Sequence, residues 1–108
     1  MVLKLVAFLL VSILFACSSE PDKKNTIPQE TPAQKSANLF ILYCASCHGE
    51  DGKLGSSGAK DLSKSTLSIS EINEILANGK NAMPPMNELL GTKENQELVV
   101  NHVLSLRK

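Results

Sequence analysis

Cys44-Ala45-Ser46-Cys47-His48 sets two thiols and an imidazole within five residues of a 108-residue chain. Two cysteines at this spacing can each form a thioether to one vinyl group of a porphyrin, and the imidazole beside the second thiol is then held where it can ligate the iron. C-x-x-C-H is the attachment signature of a c-type haem. No ordinary folding need places these three side chains so tightly. A zinc site wants four ligands, usually with a second pair of Cys or His, and the only others here are Cys17 and His102. A thioredoxin-like redox pair belongs in a strand–helix–strand pattern, and no strand-rich stretch surrounds the motif. The stretch therefore reads as the anchorage of one covalent haem c.

Upstream, the chain points to the compartment where such attachment takes place. Lys4 precedes a run from Leu5 to Ala16 that only Ser12 interrupts. One positive charge and about a dozen apolar residues make a secretory h-region, too short to span a bilayer comfortably. The run closes at Leu14-Phe15-Ala16-Cys17, which resembles a bacterial lipobox, although Phe15 is bulkier than the small residue usual there. Residues 1–16 thus read as a lipoprotein-type signal peptide and Cys17 as the lipidated first residue of the mature chain. An uncleaved N-terminal anchor with an incidental Cys17 is the other reading. Both put the remainder outside the cytoplasm. Two acyl chains suffice for stable anchoring, each buried methylene contributing about 0.8 kcal/mol. Cysteine parity agrees: one for lipid, two for haem and none left for a disulfide.

Residues 17–34 hold Cys17 and then a stretch containing Pro21, Pro28 and Pro32, with mixed charge and little apolar content. That composition belongs to a flexible linker, with a typical span of about 22 Å. Eleven basic residues balance eleven acidic ones, so no strong field favours nucleic acid or an anionic bilayer. The folded domain is then expected over residues 35–108. It is small and contains no Trp, and a domain of that size normally needs a staple. A covalently held macrocycle would fill its centre.

Three helices can be read there, and no convincing strand. Ser36 to Tyr43 runs into Cys44, with Leu39, Phe40 and Tyr43 at helical spacing. Glu71 to Asn78 presents Ile72, Ile75 and Leu76 on one face. Its cap is Ser68 with Glu71, or Ser70 alone, and Gly79 stands where a left-handed residue would end it. Lys93 to about Arg107 is capped by Thr92, and its apolar stripe is Leu98, Val99, His102, Val103 and Leu106.

In this order of parts the chain resembles the small bacterial class I c-type cytochromes. A helix flows into CxxCHG at Cys44 to Gly49, a Gly-rich loop follows, and a middle helix ends near Gly79. The Met-Pro loop Ala82-Met83-Pro84-Pro85-Met86 precedes a terminal helix. The resemblance implies an all-α class I cytochrome c fold, with three main helices and loops wrapped around one covalent haem. It implies Cys44 and Cys47 as thioether links, His48 as proximal ligand and Met83 as distal ligand, a soft donor suited to low-spin iron. Met86 is the rival to Met83, or else a flexible apolar contact at the haem edge.

Three positions depart from the family pattern. Ala37 stands where a Gly usually lets the first and last helices approach, which suggests a slightly wider crossing. His102 stands where a Tyr or Trp usually packs on that crossing, and reads as a partly buried packing residue. Lys60 stands where a Pro often offers its carbonyl to the proximal His, but a carbonyl exists at any residue.

An iron with both axial positions filled by protein cycles one electron and binds external ligands poorly. No Ser/His/Asp set, paired-carboxylate site or nucleotide loop is present, so an electron carrier is expected rather than an enzyme. The reading is a membrane-tethered mono-haem carrier on the extracytoplasmic side. Its partners would be a quinol-oxidising complex and a terminal oxidase or reductase, met through an apolar rim formed by Ala82, Pro85 and Met86. A fixed haem subunit of a larger oxidoreductase is the near alternative. A haem-based gas sensor or ligand-binding module is the distant one.

Overall fold

Thr31 starts the first helix with a reciprocal cap. Its hydroxyl accepts from the Gln34 N–H at 3.2 Å, while Gln34 Oε1 accepts from the Thr31 N–H at 2.9 Å. Pro32 supplies a preset φ where no donor is needed. The computed structural model describes residues 28–108. The expected signal peptide, Cys17 and most of the expected linker lie outside the described residues.

Helix α1 covers Pro32–Tyr43, so it begins four residues before the Ser36 start that apolar spacing suggests. Its last residues pass through Cys44 into a single turn, α2, Ala45–His48. Two short turns follow, at Ser56–Gly58 and Leu62–Lys64. Helix α3, Ile69–Asn78, opens on the expected capping box, with the Ser68 hydroxyl accepting from the Glu71 N–H at 3.3 Å and the Glu71 carboxylate accepting from the Ser68 N–H at 2.7 Å. Those hydrogen bonds from Ser68 hold the Glu71 carboxyl below its usual range. A single turn, α4, spans Asn87–Leu90, and α5 covers Lys93–Ser105 behind its Thr92 cap. Among the described residues no strand forms, and the three main helices are those expected.

The principal interface is α1 on α5. Phe40 is completely buried there and Val99 almost so. Ser36 bridges the two helices, its buried hydroxyl donating to the Leu98 carbonyl at 2.6 Å. His102 lies half-buried against Phe40, with ring centroids 4.6 Å apart, and desolvation lowers its pKa. It is the packing residue that the sequence suggested. Val100 is buried as well, outside the expected stripe, because α5 also packs on α3 and α4. Arg107 ties the C-terminus down by donating to the Leu67 carbonyl at 2.6 Å.

Candidate functional site

The attachment motif is wound into one tight turn. The Cys44 N–H still donates to the Phe40 carbonyl at 2.8 Å, and the Cys44 carbonyl accepts from Cys47 and His48 at 3.2 and 3.0 Å. Residues three and four apart on a helical turn share a face, so both thiols and the imidazole border the same space. Cys44 is buried and Cys47 exposed, and neither is in a disulfide. Burial pushes the Cys44 thiol up to about 11, which keeps it neutral in its apolar surroundings at pH 7.

His48 Nδ1 lies 3.1 Å from the Lys60 carbonyl. A carbonyl only accepts, so Nδ1 is the donor, and in the neutral ring the lone pair is then on Nε2. Lys60 thus performs with its backbone what a Pro does elsewhere.

These residues open onto a cavity of about 580 Å³ whose lining is mostly apolar. Phe40, Leu62, Leu67, Ile72, Leu76 and Val99 form much of its wall, and among the described residues no Asp or Glu lines it. Cys44, Cys47, His48, Met83 and Met86 all border it, whereas His102 does not. A soft thioether, an imidazole with a free lone pair and two thiols around an apolar space fit a covalently attached metalloporphyrin. Among the described residues no three His, Cys, Asp or Glu side chains cluster to hold a metal ion.

The two methionines are held differently. Met86 is 6 % exposed, packs in the core with Leu76 and Leu90, and donates its N–H to the Leu76 carbonyl at 2.7 Å. Met83 is half-buried on a small hairpin with Lys80. Burial also removes Met86 from the rim to which the sequence reading assigned it. Pro85 is exposed but does not border the cavity, and exposed Leu89 and Pro84 stand beside Ala82 at its edge. Nothing in the sequence around Leu89 marks it, since its exposure depends on how the single turn α4 packs on the rest of the chain. The hairpin was signalled by Asn81, a residue that tolerates positive φ.

Comparison with known families gives one finding: residues 31–100 match the model of the family described as "Cytochrome C oxidase, cbb3-type, subunit III". No curated protein and no solved structure matches the chain.

Proposed function

Because the chain belongs to the cytochrome c oxidase, cbb3-type, subunit III family, and is thereby a small c-type cytochrome with covalent haem c and an electron-transfer role, we propose that it is a membrane-tethered carrier of single electrons. Cys44 and Cys47 provide the thioether links, His48 the proximal axial ligand and Met83 the distal one. One observation carries this assignment: a single apolar cavity collects all four side chains.

Haem c, when bound, supplies one-electron exchange between Fe(III) and Fe(II), at a potential that a Met ligand raises relative to a second His. The residues do the rest. The Lys60 carbonyl fixes the His48 tautomer and ring orientation and makes Nε2 a stronger donor. Met83 would offer its thioether sulfur to the iron from the same cavity. The walls of α1, α3 and α5 hold water away and give both oxidation states the same packed surroundings. Carbon monoxide should therefore barely change the spectrum of the reduced protein at neutral pH, while electron exchange with small redox dyes is fast and reversible. Rapid, stoichiometric carbon monoxide binding would turn the reading toward a gas sensor.

The family description points to a respiratory oxidase. For this chain we place the electron path between a quinol-oxidising complex and a terminal oxidase or reductase, on the extracytoplasmic side. Among the described residues no helix is long and apolar enough to cross a membrane, and the tether we propose is lipid on Cys17. Native protein should partition into detergent with a lipid mass on Cys17, and become soluble when Cys17 is replaced within a cleavable signal. Recovery of wild type as soluble, unlipidated protein would remove the tether. The word subunit in the family description favours a second reading, a haem subunit fixed in an oxidase. Co-migration with an oxidase after mild detergent extraction would select it, and migration as a lone small species would select the carrier.

A further inference from the structure

The backbone of Met83 is gripped from two sides. The Lys80 N–H donates to the Met83 carbonyl at 2.9 Å, and the Met83 N–H donates to the Lys80 carbonyl at 3.0 Å. Only Asn81 and Ala82 lie between them, and Asn81 has φ 54, the positive value that such two-residue turns demand. On the other side α3 ends at Gly79, with φ 73. A Cβ built on Gly79 would stand 2.5 Å from the Met83 carbonyl oxygen and 3.0 Å from both Pro84 C and Pro85 N. All three are backbone atoms, and two belong to prolines whose φ is locked. No flexible side chain is available to yield.

We propose that Gly79 is the positioning residue for the sixth coordination position: the methyl it lacks is what lets the Met83–Pro85 backbone lie against the end of α3 and keep the Met83 thioether at the cavity. The proposal rests on the reading of Met83 as distal ligand. A methyl at Gly79 has to push the Met83 carbonyl outward until a normal contact is restored. A ligand constellation tolerates about 0.5 Å of misplacement, and the required shift uses that up. Met83 would then leave the iron for much of the time, and the cavity would accept an external ligand. On this account Gly79 decides between an electron carrier and a ligand binder.

The test compares wild type, Gly79→Ala and Gly91→Ala, each as the full haem-loaded chain. Gly91 also has a positive φ, 75, but a Cβ there meets nothing within 4 Å. It therefore reports backbone strain without the contact. The readouts are the weak far-red charge-transfer band of an Fe(III)–thioether bond and the apparent carbon monoxide affinity of the reduced protein. Gly79→Ala should lose the band. If its open fraction rises from about 0.01 to about 0.5, its apparent affinity for carbon monoxide rises about fifty-fold. Gly91→Ala should keep the wild-type band and affinity. A Gly79→Ala protein that behaves like Gly91→Ala overturns this proposal alone, whereas a wild type without the band overturns the Met83 reading and this proposal together. Should Gly79→Ala not accumulate, the exposed Asn81→Val decides. A β-branched residue resists φ 54, so the hairpin should open and the band fade, and full retention of the band overturns the proposal.

Discussion

Replacing Cys44 and Cys47 together by alanine should yield a chain from which acid–acetone extracts all haem, and whose mass shows the polypeptide alone. Wild type matured in a periplasm should keep one haem mass through the same extraction. The single variants should keep haem through the remaining thioether, with a lower melting temperature. The double variant should also lose most of its helical signal, for a reason of size. The core among the described residues is nine buried apolar side chains, seven of which border a cavity of about 580 Å³. Without the macrocycle the side chains facing that space have no partner across it, and a domain with about 5–15 kcal/mol of net stability has little to spare. A double variant that retains the haem mass, or a wild type that releases its haem cleanly, would refute the thioether assignment.

What the sequence disclosed, it disclosed where local chemistry decides the outcome. The motif from Cys44 to His48 is legible because thioether formation and iron ligation require that spacing. Helices α3 and α5 are legible because Ser68, Glu71 and Thr92 cap them and their apolar faces repeat with helical period. The Lys60 carbonyl could be expected to serve His48 because any residue has one. The start of α1 was misplaced although Thr31-Pro32-Ala33-Gln34 carries its own signal, a capping box with Pro at the first helical position. Reading the prolines as linker composition hid it. Other features lie in contacts between distant residues and leave no local trace. The Ser36 hydroxyl on the Leu98 carbonyl crosses 62 positions, and Arg107 on Leu67 crosses 40. Val100 is buried because a second set of elements covers α5, which a single stripe cannot announce. The burial of Met86 is of the same kind, since its N–H bonds to the end of α3.

That burial makes the two methionines separable by experiment. Met83→Ala should abolish the far-red charge-transfer band of the oxidised protein and open the reduced protein to rapid carbon monoxide binding. It should change the helical content little, because Met83 is only half-buried and its backbone pair with Lys80 survives the truncation. Met86→Ala should do the reverse. Truncating a buried methionine in a packed core costs about 2–5 kcal/mol, so this variant should melt well below wild type. Its N–H can still reach the Leu76 carbonyl, so the loop should keep its course and the band should remain. Both side chains are thioethers bordering the same cavity and three residues apart, so donor chemistry cannot choose between them. What chooses is restraint. Met86 is committed to contacts with Leu76 and Leu90, and drawing its sulfur toward the iron would vacate that part of the core. Met83 packs only at the edge of the core and stays half-buried, and its hairpin and the two prolines after it hold its backbone in place. If Met86→Ala erases the band while Met83→Ala preserves it, Met86 is the ligand and the hairpin at Lys80 is merely a turn. Loss of the band in both variants, each with unchanged stability, would show that the loop shares the ligand role between the two sulfurs, a result the core packing of Met86 argues against.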